Sequence, residues 1–229
     1  MISAGNDIVD LRFVNKKRTA DPRFYSKFIS PAEEKLGHQS NLKILPFENY
    51  VWLLWSVKES AYKYLKRIQP DLLFAPAKIL VNEIQDNSQS AVETNPTGDL
   101  LNEQIYNGTV SCGAHTLYFH SRVNADWIAT IVNGTADFAN TIHEVKKITS
   151  SDYKSQSTAV RRFLLAKIAT VFEDEFTVEK STDGYPVLWR NGMASDLIAS
   201  MAHDGFYVSC SLDLDRVVEH QSESKLSAC

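Results

Sequence analysis

Two short stretches of this chain hold residue types that can do chemistry together. The first is Gly5-Asn6-Asp7-Ile8-Val9-Asp10-Leu11, with an acid at the mouth of an apolar, β-prone run. A carboxylate so placed suits Mg²⁺, which takes one or two carboxylates and completes its shell with phosphate oxygens and water. Alone, it reads more simply as a loop aspartate capping a turn. The second stretch is Trp55-Ser56-Val57-Lys58-Glu59-Ser60-Ala61-Tyr62-Lys63. On a helix, Glu59 and Lys63 are i and i+4 and share a face. Lys58 points about 100° around from Glu59. Alone, the Glu59–Lys63 pair reads as a solvated salt bridge worth about 0.3–0.5 kcal/mol.

Elements must position these residues, and the pattern supplies them. Residues 7–14 predict a strand, and 48–68 predict the clearest helix, with Val51, Leu54, Trp55, Ala61, Tyr62 and Leu65 near a period of 3.6 and Pro70 ending it. Between them, 22–36 reads as helix, turn and a second helix start at Ser30-Pro31 with Glu33 and Glu34 following. Residues 77–84 and 105–111 read as strands around a polar, turn-rich stretch 85–99, and 115–121 with 126–132 as a hairpin pair. A hinge is expected over 134–140 and a strand over 141–149. A helix is expected over 157–172, with Val160, Phe163, Leu164, Ile168, Val171 and Phe172 on its apolar face. Asp183-Gly184 is a turn signal leading into 185–189, and 198–212 reads as strand, turn at Asp204-Gly205, strand. The segments 119–132 and 201–212 run alike, which favours two related halves.

Composition narrows the classes. The chain has 229 residues, enough for one large domain or two smaller ones. No apolar run approaches the ~18 residues of a membrane span, and the start MISAGNDIVDL lacks a basic stretch before an apolar core. Three cysteines (Cys112, Cys210, Cys229) without a CxxC give neither zinc site nor disulfide framework, so a reduced cytoplasmic setting is expected. A net charge of −4 argues against broad nucleic-acid or anionic-membrane binding. Positive charge is instead local. Residues 12–27 hold Arg12, Lys16, Lys17, Arg18, Arg23 and Lys27 against Asp21, and 154–167 hold Lys154, Arg161, Arg162 and Lys167 with no acid.

Taken together, Gly-x-Asp at a strand start and Trp-Ser-x-Lys-Glu-Ser-x-x-Lys about 50 residues later resemble the signature of the 4′-phosphopantetheinyl transferases. Those enzymes move the phosphopantetheine arm of coenzyme A onto a serine of a carrier protein. KFISPAEEKL (27–36) is similar to a further segment of that family, and the resemblance covers residues 5–63 well and the rest more loosely. It implies an α+β fold of two similar halves with pseudo-twofold symmetry, each an antiparallel sheet packed with helices. Residues 1–134 would carry the metal and Lys-Glu motifs and 135–229 the coenzyme A contacts. It implies Asp7 and Glu59 as Mg²⁺ ligands, Lys58 and Lys63 on the pyrophosphate and the leaving 3′,5′-ADP, and Glu59 or Lys63 as the base. In the second half, Asp183-Gly184-Tyr185-Pro186 and Met201-Ala202-His203-Asp204-Gly205 resemble two family turns. These suggest His203 on the 3′-phosphate of coenzyme A, with Arg161 and Arg162 as further phosphate contacts. Carrier proteins are acidic around the modified serine, so Arg12, Lys16, Lys17 and Arg23 are candidates for docking.

The sequence also departs from the family. Val9 stands where long members have a second acid, leaving Asp10 as a secondary ligand candidate or a structural acid. Tyr185 stands for a lysine and Ala202 for a serine, and the half with the catalytic motifs comes first. The implied activity is that of a holo-[acyl-carrier-protein] synthase, working as a monomer with an internal pseudo-dimer in fatty acid or polyketide synthesis. The alternatives are a non-catalytic homologue that binds coenzyme A or a carrier protein, and a metal-dependent phosphodiesterase or nucleotide hydrolase, a class that usually needs more clustered acids and histidines.

Overall fold

The computed structural model describes residues 3–38, 42, 45–88 and 103–214. Most of the turn-rich stretch expected over 85–99, and Cys229, lie outside the described residues. The architecture is mixed α/β with antiparallel sheets and few helices. The first strand, β1 (Gly5–Asp10), is shorter than expected, because the chain leaves it through a 3₁₀ turn at Leu11–Phe13. Three short helices follow: α1 (Lys16–Thr19), α2 (Pro22–Tyr25) and α3 (Pro31–Leu36). α3 has the capping box its sequence announces: Ser30 Oγ accepts the Glu33 N–H, and Glu33 Oε2 accepts the Ser30 N–H.

The long helix α4 (Phe47–Ile68) spans about 33 Å at 1.5 Å per residue. Val51, Leu54, Val57, Ala61 and Leu65 are fully buried along one face. That face covers the sheet β1-β5-β4-β3-β2, whose further strands are β2 (Ile79–Asp86), β3 (Gln104–Cys112), β4 (His115–Val123) and β5 (Trp127–Asn133). Every residue of β1 and β5 is buried. β1 lies so close to α4 that a Cβ on Gly5 would stand 2.0 Å from the Ser60 carbonyl oxygen.

A second sheet, β10-β11-β6, is built from β6 (Thr141–Lys147), β10 (Ile198–Asp204) and β11 (Tyr207–Asp213). Helix α5 (Tyr153–Ile168) packs on it, with Val160, Phe163, Leu164 and Ile168 inward. This helix starts four residues ahead of the expected 157 because Asp152 caps it, its carboxylate accepting the Ser155 N–H at 2.9 Å. It also stops at Ile168, so Val171 lies beyond its apolar face and is 44% exposed. A small sheet, β7-β8-β9, comprises β7 (Phe176–Lys180), β8 (Pro186–Arg190) and β9 (Met193–Ala194); β7 and β9 had no clear strand signal. In each of the two main sheets the first strand in sequence pairs antiparallel with the last: β1 with β5 and β6 with β11.

The two sheets meet along β1 and β10. β1 is an edge strand, and its outward N–H groups need acceptors. Side chains of β10 supply them: Ser200 Oγ accepts the Asn6 N–H at 3.1 Å, and Asp204 Oδ2 accepts the Asp10 N–H at 2.8 Å. Ile8, Trp127, Ala129, Ala202 and Tyr207 form an apolar cluster across the same seam.

Candidate functional site

The seam opens into a cavity of about 700 Å³ whose lining includes Asp7, Asp10, Glu59, His203 and Asp204. Strand β1 brings Asp7, helix α4 brings Glu59, and strand β10 brings His203 and Asp204. Lys63 bridges the first two: its Nζ is 3.1 Å from Asp7 Oδ1 and 3.2 Å from Glu59 Oε1. The other Glu59 oxygen accepts the Trp55 indole N–H at 3.1 Å. Trp55 therefore orients the carboxylate, a role its place one turn back on the helix could have announced. The Asp7 Oδ2 is buried and has no hydrogen-bond partner. Burial raises the Asp7 pKa; the Lys63 ammonium pulls it down and the Glu59 charge adds to the rise. Burial alone would lower the Lys63 pKa, yet the Asp7 and Glu59 carboxylates hold it above its ordinary value. Burial and the Lys63 charge push the His203 pKa down.

Lys58, expected on the pyrophosphate, is elsewhere. It is fully buried, with Nζ 2.7 Å from Glu33 Oε1, donating to the carbonyls of Phe28 at 2.7 Å and Pro76 at 3.2 Å. All three ammonium protons have acceptors, so it ties α3 and the segment before β2 to α4. The reason is the 100° turn from Glu59, which aims Lys58 at the helix α3 side.

Asp10 is a structural acid. Its carboxylate accepts from Arg12 Nε at 2.8 Å and Nη2 at 2.6 Å, and from the Phe206 N–H at 2.9 Å. Burial opposes ionisation there, but the Arg12 and Phe206 donors hold its pKa below the ordinary value. Gly205, at φ +51°, makes this contact possible, since a Cβ there would stand 2.3 Å from Asp10 Oδ2. Arg12 is consequently not a free docking charge; its guanidinium is held by Asp10 and lies 4.8 Å over the Tyr207 ring.

Lys16 and Lys17 are exposed on α1, and Arg23 is exposed with Asp21 at 3.0 Å. Arg18 and Lys27, from the same basic stretch, line the cavity rim. The wall beneath is aromatic: Phe28 and Trp55 centroids are 5.2 Å apart, and Trp52 and Trp55 6.1 Å. Arg161 and Arg162 are exposed on α5 and do not line this cavity. Arg162 borders a separate groove with Lys146, Lys154 and Phe163. A smaller cavity of about 250 Å³ lies behind Lys63, lined also by Lys66, Arg67, Tyr185 and Met201. Thus Lys63 faces two spaces, one through the acids it bridges and one directly.

Among the described residues no cluster of three or more metal-ligating side chains occurs. Two carboxylates with one buried, unpartnered oxygen still fit a hard divalent cation whose remaining ligands come from a phosphate and water. Two acids, a bridging ammonium and a neighbouring basic cavity are the chemistry a phosphate ester or anhydride would need. Residues 3–132, more than half of the chain, match the family model of the 4′-phosphopantetheinyl transferase superfamily. The chain belongs to that superfamily. No curated protein matches it. Among the described residues no helix is long and apolar enough to cross a membrane.

Proposed function

We propose that the chain transfers the 4′-phosphopantetheine arm of coenzyme A to a serine hydroxyl of an apo acyl or peptidyl carrier protein, as a holo-[acyl-carrier-protein] synthase does. The observation that carries this reading is the Asp7–Lys63–Glu59 arrangement in the cleft between β1 and β10. Asp7 and Glu59 would hold Mg²⁺, which when bound neutralises charge on the pyrophosphate. Lys63 places a positive charge between the two carboxylates and beside the smaller basic cavity, where it can stabilise the leaving phosphate. Glu59, a carboxylate, would accept the proton, leaving Lys63 as the positive charge for the leaving phosphate. Trp55 holds Glu59 in place for that step. The serine oxygen forms a bond to the β-phosphorus as the bridging P–O bond breaks, and its proton passes to Glu59. The products are the holo carrier and 3′,5′-ADP.

His203 faces the same cleft and suits the 3′-phosphate. Arg18 and Lys27 at the rim, with Lys16, Lys17 and Arg23 outside, would meet the acidic carrier. The halves 1–134 and 135–229 would form an internal pseudo-dimer, so that a monomer carries a complete cleft in the cytoplasm. Glu59→Gln tests the reading. With coenzyme A, Mg²⁺ and an apo carrier, it should lose transfer while unfolding like the parent; near-normal turnover would show that Glu59 is misassigned.

A further inference from the structure

Arg67 lies one helical turn beyond Lys63 on α4 and reaches across the seam. Its Nη2 donates to two carbonyls on different sheets, Ala199 on β10 at 2.8 Å and Pro186 on β8 at 3.0 Å. Its guanidinium lies 4.6 Å over the Tyr185 ring, and its buried Nε has no partner. Burying a cation with an unpaired donor is unfavourable. An apolar side chain could cover Tyr185 without that penalty. What the guanidinium adds is one donor group gripping two separate strands.

Among the described residues, three hydrogen bonds tie strand β10 to β1 and α4, beside the apolar contacts of Ala202. Arg67 holds Ala199, Asn6 of β1 holds Ser200, and Asp10 of β1 binds Asp204. Two of these contacts come from β1. The Arg67 contact comes from α4, the helix that carries Glu59 and Lys63. It therefore links that helix directly to the strand carrying His203.

We propose that Arg67 is a positioning residue: by clamping Ala199 and Pro186 to α4 it sets His203 opposite Asp7 and Glu59. The structural part stands on the contacts alone. The functional part, that the clamp governs affinity for a ligand touching both sides, rests on the coenzyme A reading above.

Hydrogen exchange on ligand-free Arg67→Gln reads the clamp directly. Amides of 198–204 should exchange about ten-fold faster than in the parent, with the β1–β5 pairing unchanged. Unchanged exchange in 198–204 would overturn the proposal, and so would a uniform rise over the whole chain. For the functional part, KM for coenzyme A should rise about ten-fold, with kcat and the carrier KM within about two-fold. Equal losses in both KM values would refute positioning at this seam. Arg67→Lys keeps a cationic donor within reach and should recover most of the loss in both measurements; it also serves if the glutamine variant does not fold. A lysine variant as deficient as the glutamine one would refute the hydrogen-bonding role. Should the parent transfer no phosphopantetheine, the function reading fails separately, and calorimetric affinity for coenzyme A, parent against variant, decides the functional part.

Discussion

Replacing Lys58 by Met separates a structural lysine from a catalytic one. In the folded protein its ammonium pairs with Glu33, which is 1% exposed, and binds two backbone carbonyls. The substitution leaves the Phe28 and Pro76 carbonyls short of a donor. Glu33 keeps two others, the Ser30 N–H at 2.8 Å and the Val81 N–H at 2.9 Å, but loses its counter-charge. Breaking one side of a buried ion pair costs about 3–5 kcal/mol. For a chain of this size, that corresponds to a fall in Tm of about 6–20 °C. The retained donors to Glu33 argue for the lower half of the range. Urea unfolding with a fixed m-value reads the loss, and transfer kinetics at 15 °C, where the variant is still folded, read the chemistry. Stability should drop as stated, while kcat per folded molecule stays within about three-fold. A variant as stable as the parent that has lost transfer by a hundred-fold or more would refute the structural assignment and return Lys58 to the site. Pairing Lys58→Met with Glu33→Met should cost less than the sum of the two single changes, because no charge is then stranded.

Three further outcomes follow from named contacts. Gly5→Ala forces a methyl to within 2.0 Å of the Ser60 carbonyl unless β1 and α4 separate, and should cost about 1–3 kcal/mol in urea unfolding. Trp55→Phe removes the indole donor to Glu59 and should lower kcat about ten-fold with little change in the KM for carrier; an unchanged kcat would mean Glu59 needs no such support. His143 is held neutral well below its ordinary pKa, by burial first and then by the Arg122 and His120 charges. The unfolded chain protonates this ring near pH 6.5 while the native one does not. Stability is therefore full above that pH and is lost as pH falls below it. Urea midpoints at pH 7.5 and 5.5 should differ less in His143→Gln than in the parent.

Much of the candidate site is legible because its parts are local. Asp7 at a strand mouth and Glu59 with Lys63 at i, i+4 need only a strand and a helix to be recognised, and the fold brings them within 3.2 Å of a shared ammonium. Ser30, Pro31 and Glu33 likewise announce the start of α3. What could not be read is what each residue meets from afar. Helical spacing gives the direction of Lys58 but not that Glu33 and the Phe28 carbonyl fill that direction. Arg67 finds its carbonyls 119 and 132 residues away, with no local signal. Arg12 reads as part of a basic surface, although Asp10, two residues before it, holds the guanidinium. The strands β7 and β9 are short and lie at the periphery, where weak alternation leaves the pattern indistinct.

If Asp7, Glu59 and Lys63 form a phosphopantetheine-transfer site, transfer must depend on them. Mass spectrometry of several apo carrier proteins after incubation with the chain, coenzyme A and Mg²⁺ tests this directly. A carrier serine should gain the mass of phosphopantetheine, with 3′,5′-ADP released in equal amount, and no gain should occur with Asp7→Asn. Absence of the gain on every carrier, or its persistence in Asp7→Asn, would contradict the assignment.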